Sequence, residues 1–227
     1  MMTAGRDQGV RGLKSEAGTQ VAGGQASRAV APGEQGRCGL RVVAGRLGGR
    51  PLRAVPGSAT RPTSDRVREA LFAILGDRVH GARVLDLFAG TGALAIEALS
   101  RGATRAVLVE QAAPAVAVIR ANLSALDLTA TALVRRTRAE TYLRTQRDGP
   151  FDLVFLDPPY ATGVGLVAGL LARLARGALA PGAVVVVESA ARAEAPPWPP
   201  GLLAETPRRY GDTALHLAVW TPPAASG

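Results

Sequence analysis

"VLDLFAGTGALAIEAL", Val84 to Leu99, is an apolar run that breaks at Gly90 and Gly92 and then resumes with helical character. Glycine has no Cβ, so the pair permits a sharp turn and leaves bare backbone beside the helix N-terminus, where a ligand can lie. The stretch reads as strand, glycine turn, helix. Downstream the same rhythm repeats. "RAVLVE" is strand-like, Pro114 to Leu126 helical, "TALVRR" strand-like and Arg138 to Arg144 a short helix. "FDLVFLD" is a strand, Gly165 to Ala175 helical and "GAVVVVES" a strand. Short β runs separated by helices require crossover connections, so the fold class is α/β, a mainly parallel sheet covered on both faces. After "APPWPP", the runs "LLAETPRRY" and "ALHLAVW" flank Gly211-Asp212, which predicts a closing antiparallel hairpin.

Upstream, "LRVVAG" and "RPLRAV" flank Arg46-Leu47-Gly48-Gly49, a small hairpin by its glycine pair. In "RPTSDRVREALFAIL", Thr63 or Ser64 caps a helix whose Val67, Ala70, Leu71, Ile74 and Leu75 share a face, with Arg66, Arg68 and Glu69 off it. Residues 1–38 hold no aromatic residue and no sustained period, and are expected to be a disordered basic tail. The expected organisation is therefore tail 1–38, hairpin and helix 39–80, a main domain 81–222, and a short C-terminal tail 223–227.

Of the 227 residues, 47% are hydrophobic, ample for a core, and the net charge is +9 with Lys14 the only lysine. Cys38 stands alone, so no intramolecular disulfide forms, and His80 and His216 are isolated, so no metal site is expected. No apolar span reaches the ~20 residues that a bilayer requires. A cytoplasmic protein without membrane contact is the expectation.

Ligands of parallel sheets bind beyond the strands' carboxyl ends. There lie Asp86, the turn Phe88-Ala89-Gly90-Thr91-Gly92, Glu110, Arg136 to Ala139, and Asp157-Pro158-Pro159-Tyr160. Gly90 to Ala95 fits the dinucleotide pattern G-x-G-x-x-A, with Glu110 spaced to meet a ribose hydroxyl, so NAD is one candidate ligand. Two details favour S-adenosylmethionine. A carboxylate at Asp86 would repel a pyrophosphate but suits a cationic methionine moiety. The "DPPY" turn stops its strand, because a proline pair cannot donate to the ladder, and leaves Asp157 at the sheet edge. Such a carboxylate and the Pro158 carbonyl can accept the two N–H bonds of an exocyclic nucleobase amine, with Tyr160 as a stacking face.

"RPTSDRVREALFAIL", "LDLFAGTGALAIEALSRGA", "VLVE" and "DPPY", in this order, resemble the RsmD-type bacterial methyltransferases, which methylate guanine N2 in 16S ribosomal RNA. The resemblance runs from about Arg41 to Trp220 and implies a Rossmann-like class I methyltransferase fold with a seven-stranded sheet. It implies that Asp86, Phe88, Ala89, Gly90, Thr91 and Gly92 line the methionine end of S-adenosyl-L-methionine, that Glu110 binds its ribose, and that Asp157, Pro158, Pro159 and Tyr160 hold the guanine amine. It places Arg138 and Ala139 at the cofactor's adenine, Arg138 standing where such families carry an acidic or amide residue, and Asp157 beside the cofactor as well as the amine. It further implies 16S rRNA, within the small ribosomal subunit or its assembly intermediate, as partner, and the chain is expected to be a monomer. Arg41, Arg46, Arg50, Arg53, Arg61, Arg66 and Arg68 then form a phosphate-binding cluster. Adenine-N6 methylation, a non-catalytic RNA-binding or assembly role, and an NAD-dependent oxidoreductase remain alternatives at this stage.

Overall fold

The alternation of side chains along the central strands builds two cores. Val84, Leu108, Leu153, Phe155, Val184 and Val186 point to one face, and their neighbours Leu85, Val107, Val109, Val154, Val185 and Val187 to the other. A strand buried on both faces must be apolar at every position, which explains the near-continuous apolar runs. The computed structural model describes residues 39–56, 65–159 and 163–223. The expected tail, the Thr63 and Ser64 cap, Arg61 and Tyr160 lie outside the described residues.

Strands β1 (Arg83–Asp86), β2 (Arg105–Glu110), β3 (Ala132–Arg136), β4 (Phe151–Leu156) and β5 (Leu179–Ala190) are parallel; β6 (Leu202–Ala204), β7 (Arg208–Tyr210) and β8 (Thr213–Trp220) complete the sheet. The order is β3-β2-β1-β4-β5-β8-β6, with β7 pairing β8 off this path. All three last strands engage through antiparallel β8. The sheet has eight strands where seven were expected. The single arm read in "LLAETPRRY" is two strands, because Pro207 between them lacks an N–H for the ladder.

Helices α1 (Asp65–Leu75), α2 (Ala93–Ser100) and α3 (Ala113–Ala125) contribute to one core, α4 (Ala139–Thr145) and α5 (Val164–Leu174) to the other. The chain winds outward from β1 to β3 and then restarts at β4 on the other side of β1. The carboxyl ends of β1 and β4 therefore flank the switch in strand order, where a crevice opens.

One N-terminal reading is shortened and one corrected. The hairpin is short: Arg41 bridges Pro51, and backbone N–H groups of Val42, Gly49 and Leu52 donate to the carbonyls of Arg50, Val42 and Leu40 at 2.9, 2.8 and 2.8 Å. Its backbone is fastened mainly to α2 and α3, by the contacts described below. Helix α1 buries Val67, Arg68, Leu71, Phe72 and Leu75, a face rotated from the one expected. Phe72 sets this rotation, its ring 5.9 Å from that of Phe155 in β4 and 5.0 Å below the Arg101 guanidinium.

Candidate active site

Strand β1 delivers Asp86 to the crevice almost wholly buried, at 1% exposure. Among the described residues neither of its carboxylate oxygens has a partner at full hydrogen-bond geometry, and the backbone N–H groups of Phe88 and Ala95 offset its burial only in part. Burial, followed by the charge of Asp157, pushes its pKa up to about 7. A buried carboxylate so sparsely bonded is costly, so the position is one that a cationic or N–H-bearing ligand would satisfy.

The backbone after β1 turns through Gly90 at φ +54° and Gly92 at φ +83°. A Cβ on Gly90 would meet nothing closer than the Phe88 carbonyl at 4.0 Å, so the glycine faces open space. A Cβ on Gly92 would press on Leu108 and Ile96 at 3.2 and 3.3 Å. Gly90 thus keeps a cradle open, whereas Gly92 also lets α2 settle onto the sheet. Phe88 and Thr91 are half-buried at the turn and Ala89 is buried.

Glu110, at the end of β2, braces this turn. One carboxylate oxygen accepts the Gly90 N–H at 3.0 Å and the other the Ala112 N–H at 2.8 Å. Each oxygen keeps a lone pair for a further donor, such as a ribose hydroxyl. The Thr137 N–H donates to the Glu110 carbonyl at 3.1 Å, which draws the end of β3 alongside. Arg138, the residue before α4, is exposed and Ala139 is buried in the core beneath.

Because β1 and β4 are parallel with Asp86 opposite Phe155, Asp157 stands just past the level of Asp86. Asp157 and Pro158 are half-buried and Pro159 is exposed. Asp86, the glycine turn, Glu110 and Asp157 are therefore brought to one edge of the sheet.

The arginine cluster divides. Arg46, Arg50, Arg53 and Arg66 are exposed. Arg50 donates to the Ala125 carbonyl at 3.2 Å, and Arg41 lies 3.4 Å from Asp65. Arg68 must be removed from the cluster. It is fully buried, donates to Asp65 at 2.8 Å and to the Arg41 carbonyl, and lies 3.8 Å from Glu97. It is a structural cation because Phe72 turns its face of α1 inward.

Three polar residues that sequence reasoning passed over hold the N-terminal segment. Glu97 accepts the Val43 and Ala44 N–H groups at 2.7 and 3.0 Å and the Arg101 Nε–H at 2.7 Å. Ser100 Oγ accepts the Leu47 N–H and donates to the Ala44 carbonyl. Asn122 accepts the Arg53 N–H at 2.8 Å and donates to the carbonyls of Arg53 at 3.2 Å and Thr91 at 3.0 Å. The clearest sequence signal was Asn122, a polar residue whose helical neighbours Val118, Ile119, Ala125 and Leu126 are all apolar. His216 is buried beside Ser189 rather than free to ligate, and among the described residues no cluster suited to a metal occurs. No helix among them is long and apolar enough to cross a membrane.

Residues 40–219 match the family described as "Conserved hypothetical protein 95". The chain is similar to "Putative rRNA methyltransferase YlbH" of Bacillus subtilis, 46% identical over 123 residues, 53% of this chain and 67% of that protein. It is similar to "Ribosomal RNA small subunit methyltransferase D" of Escherichia coli K12, 38% identical over 133 residues, 59% of this chain and 66% of that protein. These alignments span about two thirds of each relative. A solved structure, "Putative methyltransferase yhhF from Escherichia coli", superposes with a TM-score of 0.73 at 34% identity over 81% of this chain and 99% of that one.

Proposed function

The chain belongs to the RsmD-type family described as conserved hypothetical protein 95, and on that premise we propose that it transfers a methyl group from S-adenosylmethionine to the exocyclic N2 amine of a guanine in small-subunit ribosomal RNA. Its sheet is the Rossmann-like one of class I methyltransferases. The observation that carries the reading is the pairing of the sparsely hydrogen-bonded, buried Asp86 at the end of β1 with Asp157-Pro158 at the end of β4.

The residues fit the cofactor. Asp86 would take its ammonium group, the open face at Gly90 its methionine chain, and the spare lone pairs of Glu110 its ribose hydroxyls. When bound, S-adenosylmethionine supplies a methyl group on a cationic sulfur. The chain's own part is then to orient the acceptor. An exocyclic nucleobase nitrogen is a poor nucleophile because its lone pair is delocalised into the ring. With one N–H on an Asp157 oxygen and the other on the Pro158 carbonyl, the amine is fixed in direction and its lone pair freed. The φ fixed by the proline ring steadies that carbonyl. The proton leaves only as the nitrogen gains positive charge, so the Asp157 carboxylate need not be a strong base. Tyr160 supplies the stacking face, and the target guanine leaves its own stack to reach it.

The experiment is methylation of small subunits that lack the modification, with labelled cofactor and nucleoside analysis. N2-methylguanosine is the expected product. N6-methyladenosine, or no incorporation into RNA, would overturn the reading.

A further inference from the structure

At the opposite end of the sheet from Asp157, a groove of about 410 Å³ lies between the ends of α4 and α5. Its walls carry four arginines, Arg144, Arg147, Arg173 and Arg176, together with Gln146. All four are exposed. Among the described residues, no carboxylate lines the groove or lies within ion-pair distance of any of the four. The acid nearest in sequence, Asp148, is already engaged by Arg135 at 3.1 Å and by the Tyr142 hydroxyl at 3.0 Å. Arg147 and Arg173 each give one nitrogen to nearby backbone carbonyls, which steadies the guanidinium and leaves other donors outward. Four cations sharing one concavity repel one another unless a polyanion neutralises them together. The planar arginine fork suits phosphate oxygens in particular.

We infer that this groove binds the phosphate backbone of a second segment of the same RNA whose guanine enters the cleft, an inference that rests on the function proposed above. The groove lies where β4 and β5 enter the sheet, and β4 has six residues. At ~3.3 Å per residue, groove and cleft are thus separated by about 20 Å. The bound RNA must therefore extend at least that far along the domain from the target guanine.

The test is binding of a labelled 16S rRNA transcript to the full chain across a potassium chloride series, for the parent and for R144E/R147E/R173E/R176E. Each phosphate contact contributes about 0.7–0.9 to the slope of log affinity against log salt. The variant is expected to lose about 3 from that slope and to bind at least about tenfold more weakly at 0.1 M salt. Its affinity for S-adenosylhomocysteine stays unchanged, which reports an intact fold. The fourfold lysine variant should keep most of the slope, since it keeps the charge. An unchanged slope in the glutamate variant overturns the groove, as does loss of polyglutamate binding with RNA binding retained, which would assign an acidic protein instead. If the parent fails to methylate RNA while the variant still loses RNA affinity, the groove stands and the proposed reaction falls.

Discussion

At the scale of single residues, the proposed function assigns binding and chemistry to different side chains. Asp157→Ala is expected to lower kcat by about a hundredfold or more, because the amine loses its oriented acceptor. Affinity for S-adenosylhomocysteine in the same variant, measured by calorimetry, should persist. Gly90→Ala tests the cradle. A left-handed backbone costs an alanine roughly 1–2 kcal/mol, yet nothing but the Phe88 carbonyl at 4.0 Å stands near its methyl. The fold therefore survives while the methyl occupies ligand space, and S-adenosylhomocysteine affinity should drop about tenfold or more, at ~1.4 kcal/mol per tenfold. The glycines and Asp157 were legible in the sequence because strand ends and turn chemistry are local. The sparse hydrogen bonding of Asp86 was not, since it depends on what β1 and its two neighbours, β2 and β4, leave uncovered.

Among the elements, α1 shows where reading by period runs short. Val67, Leu71 and Leu75 mark the buried stripe correctly, but the stripe is about 100° wide and its centre depends on the partner surface. Here Phe72 meets Phe155, so Arg68 turns inward and Ile74 remains only half-buried. A residue with so long a charged side chain looks external until its partners Asp65 and Glu97 are known. Those partners predict a sharp penalty. Glu97→Ala leaves two backbone N–H groups and two guanidinium groups short of an acceptor or counter-charge. Breaking a buried ion pair from one side costs about 3–5 kcal/mol. Chemical denaturation should read a loss of that size, far more than that of Glu205→Ala, whose bridge to Arg78 is surface-exposed.

For the whole molecule, the alternation of strands and helices foretold a parallel sheet and its two covered faces. The closing hairpin was legible at Gly211-Asp212, across which β7 and β8 pair with Tyr210 opposite Thr213, whereas the pairing of β6 with the far end of β8 was not, because it is fixed by long-range packing rather than by local pattern. Global stability carries the signature of the cleft. The folded pKa of Asp86, about 7, lies above its ordinary 3.8. The folded protein therefore holds this proton more tightly than the unfolded chain. Its contribution is complete below about pH 4, is lost as pH rises through about 7, and does not change further above that. The total is on the order of 4 kcal/mol, at ~1.36 kcal/mol per unit. Asp86→Asn should flatten this part of a urea-denaturation series against pH and make the ligand-free protein more stable at pH 8, while weakening S-adenosylhomocysteine.

The Asn122 side chain grips the Arg53 backbone at both its N–H and its carbonyl, and the Thr91 carbonyl as well. One amide thereby places the arginine-bearing arm and the glycine loop mechanically in series, like two links sharing a single rivet. If occupancy of either link shifts this amide, the resulting coupling is by reciprocity equal in both directions.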